Sequence, residues 1–282
     1  MPRIALIQQS ATPDSAANLK KGLSNAKEAI QNGAQIIVFP ELAFTRFFPQ
    51  KRLSGDRMAH AELIPGPTTN IFGDLAAKHG VVFVLNLYER DGAKAYDSSP
   101  VIDADGSLLG VTRMMHITQY ESFFEQDYYD AGDTGAPVYD TKFGRIGVSI
   151  CYDRHYPEYL RSMALNDAQL VVIPQAGAAG EWPKGVFEAE LQAGSFQNGF
   201  FMALSNRVGK EDVLTFAGES FVTDPRGQVI AQAPPAIDSI LYADLNFDEV
   251  ESSPARTLFL QHRRPSEYSN ITDPQLEARE VE

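Results

Sequence analysis

The chain has 282 residues, of which 44% are hydrophobic, and this is ample for a sizeable core in one large α/β domain or two smaller ones. Its formal net charge of −13 argues against a nucleic-acid partner or an anionic membrane, because both reward basic patches. A single cysteine excludes an intramolecular disulfide and fits a reducing compartment. No secretory leader and no apolar run of roughly 20 residues is visible, so we expect a soluble, cytoplasmic protein.

The chain begins with the order strand, helix, strand. Residues 4–7 form a short apolar strand pattern, residues 16–31 have helical spacing, and residues 34–39 form a second strand. This order predicts a parallel pair with a right-handed crossover. Glu41 follows the second strand directly, where open α/β sheets place their functional sites. The alternative is an ordinary solvated glutamate in a loop.

A long loop follows the next elements, which are a helix over 68–79, a strand over 81–88 and a hairpin at 101–111. The loop covers residues 112–133 and is rich in aromatic and acidic side chains. A loop of that length in a compact domain is more often functional than idle. We expect its segment 120–129 to close over a ligand, although a subunit interface would use the same residue types.

Cys151 lies where the apolar run 146–150 ends and shortly before a helix predicted to begin at Pro157. Such a position holds a thiol on rigid support and can aim backbone N–H groups at a developing oxyanion. A helix N-terminus also favours thiolate over thiol. The alternative is a buried structural cysteine, because free cysteine is among the most buried residue types.

The rest of the chain repeats the first pattern. We predict helices over 157–165 and 182–196, and strands that cover residues 170–174, 200–205, 218–222, 229–233 and 239–243. No linker or change of composition divides the chain, so we predict one domain over 1–270 and a poorly ordered polar tail over 271–282. The order of elements indicates an α/β fold of two similar halves whose sheets pack on each other with helices outside.

Several kinds of site are disfavoured by the spacing of polar residues. None of the five histidines is paired at H-x-x-x-H spacing or joined by a second cysteine, so neither a metal nor another cofactor is expected. The glycine-rich stretch near Gly177 lacks the Lys-Ser/Thr of a phosphate-binding loop, and no G-x-S-x-G elbow occurs. A cysteine nucleophile with a carboxylate or histidine base remains.

Successive blocks of the sequence resemble the nitrilase (carbon–nitrogen hydrolase) superfamily. The blocks are Phe39-Pro-Glu-Leu-Ala, Arg113 to His116, Phe124-Glu125 with Gly132-Asp133, Gly147 to Glu158, and Gln197-Asn198. Within the superfamily, the chain is most similar to N-carbamoyl amino acid amidohydrolases and β-ureidopropionases. The resemblance implies a four-layer α-β-β-α sandwich, a homodimer or larger homo-oligomer, and hydrolysis of a small amide or N-carbamoyl amino acid.

The resemblance also implies roles for individual residues. Glu41 matches the general base, Cys151 the nucleophile that forms a thioester, and Glu125 the second glutamate of the family. The physical logic agrees, because a thiol at neutral pH needs an adjacent base, and a base at another strand end can reach it. The backbone N–H of Tyr152 is expected to be one oxyanion donor.

Met114 stands at the position of the family's catalytic lysine, in the block Arg113 to His116. Methionine has neither a charge nor a donor, and losing one preorganised donor typically costs roughly 10²–10³ in rate. A shift of register would make Arg113 the cation, but His116 fixes the alignment. Asp97, where the family has asparagine, is a milder departure. The chain is thus an engineered hydrolase, a natural one with altered chemistry, or a homologue that binds a small ligand without turnover.

For the substrate, we expect Arg154 to bind a carboxylate, because a planar guanidinium beside the nucleophile matches that group bidentately. A surface salt bridge is the alternative. His155, Gln175 and Asn198 are expected to line the same pocket, together with His116. A Cys-His hydrolase in which His116 or His155 is the base is the alternative mechanism.

Overall fold

The computed structural model describes residues 1–273 and contains, within them, fifteen strands and five α-helices. The strands are β1 (Arg3–Gln8), β2 (Ile36–Val38), β3 (Val82–Val84), β4 (Leu87–Asp91), β5 (Lys94–Ile102), β6 (Leu108–Arg113), β7 (Val138–Thr141), β8 (Gly144–Val148), β9 (Leu170–Gln175), β10 (Phe201–Asn206), β11 (Val208–Lys210), β12 (Thr215–Ala217), β13 (Phe221–Thr223), β14 (Val229–Gln232) and β15 (Ser239–Asp244). The helices are α1 (Ser15–Gln31), α2 (Pro67–His79), α3 (Pro157–Leu165), α4 (Val186–Asn198) and α5 (Asp248–Glu251).

Two sheets carry most of the strands. The first has the order β15-β1-β2-β3-β5-β4, with β6 paired to β5, and its central strands β1, β2 and β3 run parallel. The second has the order β14-β13-β10-β9-β8-β7, with β8, β9 and β10 parallel at its centre. The parallel strands are apolar on both faces because helices cover one face and the other sheet covers the second.

The alternation of side chains along each strand builds four layers. On β1, Ile4 and Leu6 point into the core between the sheets, whereas Ala5 and Ile7 pack with the residues under α1 and α2. On β9, Val172 joins the core between the sheets and Val171 packs against α3 and α4. The chain is therefore a four-layer α-β-β-α sandwich, which confirms the predicted fold class.

Polar contacts also join the two sheets directly. The Ser205 hydroxyl at the end of β10 donates hydrogen bonds to the carbonyl oxygens of Ile7 (3.1 Å) and Val38 (3.3 Å) in the first sheet. Both acceptors lie near the carboxyl ends of their strands, so this contact fixes the sheets relative to each other close to the edge where Glu41 begins its loop.

The structure differs from the sequence predictions in a few elements. The predicted strand over 81–88 is interrupted at Leu85-Asn86 into β3 and β4, although both segments pair with β5 in one antiparallel register. Helix α4 begins at Val186 rather than Trp182, since Pro183 and the left-handed Gly185 (φ 89°) precede it. The short hairpin β11-β12 and helix α5 were not predicted. Most of the predicted tail, 271–282, lies outside the described residues, and the extent of the domain, 1–270, stays a prediction.

Candidate active site

Glu41 and Cys151 come from different sheets and meet at the same edge. Glu41 follows β2 after Phe39-Pro40, and Cys151 follows β8 after Ser149-Ile150. Both strands are parallel at the centre of their sheets, so their carboxyl ends open at one edge. The Cys151 thiol lies close enough to the Glu41 carboxyl to influence its pKa. The two residues assigned to catalysis by resemblance are therefore neighbours.

Cys151 is held in a strained backbone conformation at the start of the 3-10 turn Cys151–His155. Its φ is 44°, in the left-handed region that non-glycine residues rarely adopt and that often marks functional positions. Burial and the charges of Glu41 and Glu125 raise the pKa of the thiol well above its usual value. The Arg154 guanidinium and the Ala176 backbone N–H act in the opposite direction and favour the thiolate.

Glu41 is completely buried, and its backbone is fixed from both sheets. The Arg207 guanidinium, just after β10, donates to the carbonyl oxygens of Glu41 (2.8 Å) and Leu42 (2.6 Å). The Leu42 N–H donates to the Asn86 side chain at 2.7 Å. Neither carboxylate oxygen of Glu41 has a hydrogen-bond partner among the described residues. Burial and the charge of Glu125 raise the Glu41 pKa to about 8, which suits a general base near neutral pH.

Two further carboxyl groups belong to the same buried cluster. Glu125 begins a 3-10 turn in the long loop, and Asp97 lies in β5; both are completely buried. Burial raises the pKa of both, and Asp97 and Glu125 stand close enough for the charge of Asp97 to raise the Glu125 pKa further. Burial and the charges of Asp97, Glu41 and Glu125 also raise the pKa of the Tyr129 hydroxyl. The site thus holds three carboxyls and one phenol in a buried environment, where charges interact strongly.

Met114 lies in this cluster without a compensating cation. Its side chain is fully buried in the core between the sheets, together with Cys151 and Tyr129. All the lysines of the chain belong to the described residues, and every one is exposed or partly exposed. The adjacent Arg113 points elsewhere, since its guanidinium pairs with Glu89 (2.7 Å) and stacks on Tyr96. The structure therefore rules out Arg113, and no lysine from elsewhere takes the position.

The family model for carbon–nitrogen hydrolases matches residues 3–255 of the chain, which is most of its length. The chain belongs to the carbon–nitrogen hydrolase family. A citrullinase from Francisella tularensis is 34% identical over 278 residues, covering 95% of this chain and 97% of the relative. An N-carbamoylputrescine amidase from Solanum lycopersicum is 32% identical, covering 94% and 93%.

Solved structures of other carbon–nitrogen hydrolases share the fold. The crystal structure of a carbon–nitrogen hydrolase from Helicobacter pylori G27 has a TM-score of 0.90 at 26% identity, covering 97% of this chain and 99% of the other. An amidase from Nesterenkonia sp. AN1 has a TM-score of 0.81 at 26% identity, covering 96% and 100%; in that structure, a Glu-to-Gln mutant shows the result of Michael addition of acrylamide at the active site cysteine. The family relationship thus includes neighbours with a reactive cysteine.

Arg154 and Gln175 do lie beside Cys151. Arg154 is buried rather than exposed, and its Nη1 donates to the Cys151 carbonyl oxygen (2.8 Å) and the Gln175 side chain (2.9 Å). Its Nε donates to Glu190 at 3.0 Å, and Phe187 stacks on the guanidinium. Only Nη2 lacks a partner among the described residues. Arg154 therefore forms a buried ion pair rather than a surface salt bridge, and with Nε and Nη1 already bonded, only Nη2 is left to donate to a substrate carboxylate.

The two histidines near the site are held by other carboxylates. His116 Nδ1 lies 2.7 Å from Asp153, and its ring stacks on Tyr156 at 3.5 Å between centroids. His155 Nδ1 lies 2.5 Å from Glu190. Both rings thus have carboxylate partners other than Glu41, and the contacts favour Glu41 over either histidine as the base for Cys151.

Tyr152 and Asn198 occupy different places. Tyr152 follows the nucleophile in the same 3-10 turn, so its backbone lies beside the thiol, and its ring contacts His155. Asn198 ends α4, where its Nδ2 donates to the Gly194 carbonyl oxygen and its side chain lines a cavity with Glu158 and Arg161. That cavity lies between α3, α4 and the C-terminal segment. The structure does not bring Asn198 to the cysteine, because a residue at the end of α4 lies behind the second sheet.

Three contributors to the site were not singled out from the sequence. Tyr129 supplies the buried phenol, Arg207 anchors the Glu41 loop, and Glu190 orients Arg154 and His155. Arg207 follows the apolar strand β10, as Glu41 and Cys151 follow theirs, and this position was the available signal for it. Glu190 lies on an ordinary helical stretch without any local signal. Residues 1–273 contain no group of three or more side chains suited to hold a metal ion, and no helix within them could span a membrane.

Proposed function

We propose that this chain is a thiol-dependent amidohydrolase that cleaves a non-peptide C–N bond of a small amide or N-carbamoyl compound. The observation that supports this proposal most strongly is the closeness of the Cys151 thiol to the buried carboxyl of Glu41, whose pKa is raised by burial to about 8. Covalent catalysis on an acyl carbon requires a nucleophile and a base within reach of it. The base works best when its pKa is close to neutral pH.

In the proposed reaction, Glu41 takes the proton of the Cys151 thiol while the sulfur attacks the carbonyl carbon. The tetrahedral oxyanion forms beside the backbone of the turn that carries Cys151, where the N–H of Tyr152 is the proposed donor. Glu41 then returns the proton to the leaving nitrogen, which departs as ammonia or an amine. Water activated by Glu41 hydrolyses the resulting thioester. Glu125, buried in the same cluster, orients the substrate nitrogen as a positioning residue.

The names of the relatives and the polar side chains near Cys151 support the proposed substrate class. The names of the relatives indicate ureido compounds, namely citrulline and N-carbamoylputrescine. In this chain, the free Nη2 of Arg154 and the side chains of Gln175 and His155 offer hydrogen bonds to a small polar substrate near Cys151. We propose a small N-carbamoyl amino acid or amide, bound through single hydrogen bonds from these groups.

A second function is favoured by one observation, the buried Met114 in a site without lysine. A chain that has lost the cation expected to stabilise an oxyanion would bind a small ligand and release it unchanged. This alternative predicts binding without ammonia release and without a covalent adduct on Cys151.

The experiment is incubation with N-carbamoyl-β-alanine, citrulline and simple amides, with ammonia release as the readout and Cys151→Ala as the matched control. We expect release from the native chain that is lost in the variant. A mass increase on Cys151 after substrate addition supports acylation, since no other cysteine can carry it. Ligand binding without release and without an adduct supports the second function, and equal release from both proteins refutes Cys151 as the nucleophile.

We also propose an oligomeric state and a cellular compartment for the protein. The family resemblance leads us to propose a homodimer or larger homo-oligomer, which light scattering on the purified protein measures. A single free thiol, required for the proposed chemistry, is compatible with a reducing compartment such as the cytoplasm.

A further inference from the structure

The buried cluster around Cys151 has an excess of carboxyl groups. Glu41, Asp97 and Glu125 are completely buried, and at least one oxygen of each has no hydrogen-bond partner among the described residues. Buried carboxyls normally have a cation or several donors, because an unpaired charge in a dry site is costly. Next to Asp97, the Met114 N–H donates to the Asp97 carbonyl oxygen (2.8 Å), and the fully buried Met114 side chain brings no charge to the cluster.

The nearest cations do not fill this role. Arg154 is paired with Glu190, and Arg207 is paired with Glu211 while also donating to backbone carbonyl oxygens of the Glu41 loop. Each arginine thus has its own carboxylate, so Glu41, Asp97 and Glu125 form a cluster with more carboxyl groups than cations to pair with them. A cation that enters this cluster favours the ionised form of the carboxyls.

A buried phenol, that of Tyr129, also lacks a hydrogen-bond partner among the described residues. The Tyr129 side chain is 4% exposed, and its hydroxyl has no hydrogen-bond partner in residues 1–273. Burial and the charges of Asp97, Glu41 and Glu125 raise the pKa of this hydroxyl, and Tyr129 belongs to the same core between the sheets as Cys151 and Met114. A buried phenol without a partner, together with three buried carboxyls that have free oxygens, indicates that a polar ligand with several N–H donors completes the site.

The charge of the electrophile decides whether a lysine is useful. Attack of a thiolate on a neutral amide or urea creates an oxyanion, which a nearby cation stabilises and nearby carboxylates destabilise. Attack on an amidinium or guanidinium carbon instead converts a cation into a neutral tetrahedral diamine or triamine. That reaction needs no cation, and surrounding carboxylates bind its substrate.

We propose that this centre hydrolyses amidinium or guanidinium compounds in preference to neutral amides and ureas, with Asp97, Glu125 and Glu41 binding the cationic N–H groups of the substrate. This inference rests on the proposed function, because it uses Cys151 as nucleophile and Glu41 as base. It adds the charge of the reacting group to the proposed function. The neutral Met114 side chain and the buried Asp97 carboxyl select a positive charge.

The reaction balances without another reactant. The Cys151 sulfur attacks the central carbon of an amidinium while Glu41 takes the thiol proton, and a neutral tetrahedral adduct forms. Glu41 returns the proton to one nitrogen, which leaves as ammonia, and a cationic thioimidate remains. Water attacks this carbon and gives one proton to Glu41, which passes it to the Cys151 sulfur as the C–S bond breaks. The second water proton is released from the product and protonates ammonia. The products are an amide, or a urea from a guanidinium, together with ammonium.

The first test compares substrates that match in shape but differ in charge. Butyramidine is compared with butyramide, and N-butylguanidine with N-butylurea, by ammonia release and by mass of the product. We expect kcat/KM to be about 10- to 100-fold higher for the cationic member of each pair, the range of one charge-assisted hydrogen bond in a buried site. A higher kcat/KM for the neutral members overturns the inference and leaves the proposed function standing.

The second test needs no turnover. Alkylation of Cys151 by 2-chloroacetamidine and by 2-chloroacetamide is followed by intact mass, and both rates are divided by those of N-acetylcysteine to remove intrinsic reactivity. Because the chain has one cysteine, each adduct reports on the site alone. We expect the corrected rate to be at least about tenfold higher for the amidine. A ratio of one or below contradicts the charge selection.

Variants that restore the family's residues give the decisive control. Met114→Lys with Asp97→Asn adds a cation and removes a carboxyl, so we expect the corrected alkylation ratio to reverse in favour of 2-chloroacetamide. Met114→Leu keeps the neutral side chain and should retain the native ratio. If the Met114→Lys substitution disrupts folding, Asp97→Asn alone should lower the ratio. Failure of both reagents to alkylate Cys151 faster than N-acetylcysteine, with no turnover of any substrate, would instead refute the proposed function.

Discussion

The guanidinium of Arg154 donates a hydrogen bond to the backbone of Cys151, with Nη1 2.8 Å from the Cys151 carbonyl oxygen. The same guanidinium is held from α4 by Glu190, at 3.0 Å from Nε. Since Cys151 has a φ of 44°, this pair of contacts stabilises an otherwise unfavourable conformation. We therefore interpret Arg154 mainly as a positioning residue for the thiol.

Replacing Arg154 by glutamine should slow alkylation of Cys151 by iodoacetamide about tenfold, because it removes the guanidinium charge that favours the thiolate and loosens the turn. The loss in kcat should be similar for acidic and neutral substrates. Arg145→Gln, in a surface ion pair on β8, is the matched control. A rise in KM restricted to acidic substrates, with the alkylation rate unchanged, would instead support the original prediction that Arg154 binds a carboxylate.

Glu41→Gln should stabilise the fold, and increasingly so as the pH rises. Burial raises the Glu41 pKa to about 8, so above its unfolded value near 4.5 the folded state holds a proton that the unfolded state has lost. The contribution of Glu41 to stability therefore falls between about pH 4.5 and 8 and levels off above. Denaturant unfolding at pH 5 and pH 8.5 measures the difference. Glu28→Gln, exposed on α1, should show no such trend, and an equal effect at both pH values for Glu41→Gln contradicts the assignment.

Removing the partner of Arg207 should destabilise the whole fold. Arg207 and Glu211 form a buried ion pair, and Arg207 also binds the Glu41 loop. Glu211→Ala leaves the guanidinium buried and unpaired, so we expect a loss of roughly 3–5 kcal/mol in the free energy of unfolding. Glu267→Ala breaks the exposed pair with Arg264 and should cost less than about 1 kcal/mol. Equal losses in the free energy of unfolding for the two variants would show that the buried ion pair stabilises the fold no more than an exposed one.

Met114→Lys should raise hydrolysis of neutral amides by roughly 10²–10³, the effect of restoring one oxyanion-stabilising donor. Met114→Leu, which changes shape but not charge, should leave the rate close to that of the native chain. Ammonia release from butyramide measures the difference, and circular dichroism checks that both variants are folded. An unchanged rate in folded Met114→Lys would show that position 114 is not where the oxyanion forms.

The sequence predicted the positions of Glu41 and Cys151 well because both depend on local order. Each follows an apolar strand, and the carboxyl ends of parallel strands meet at one edge. The four layers followed from the repeated order of strands and helices, with the family resemblance. The interruption of the predicted strand 81–88 at Asn86 was not predictable from local sequence. The Asn86 side chain accepts a hydrogen bond from the Leu42 N–H and donates one to Asp97, and both residues are distant in sequence.

Contacts between distant elements also explain why the surroundings of Arg154 and Asn198 were not predicted. Glu190 lies 36 positions after Arg154, and only the packing of α4 brings the two together. Asn198 belongs to a block that resembles the family, yet the end of α4 faces α3 and the C-terminal segment. Sequence patterns identify which residue types recur in a family but do not separate those that touch a ligand from those that support the fold.

The base and the nucleophile are delivered by different halves of the chain. Glu41 follows β2 of the first sheet and Cys151 follows β8 of the second, and the contacts of Ser205 and Arg207 between the sheets hold the two residues together. A nascent or half-folded chain therefore carries an ordinary, unactivated thiol, and hydrolytic competence arises only on completion of the sandwich. The reactivity of this one cysteine is a built-in reporter of whether the two halves have come together.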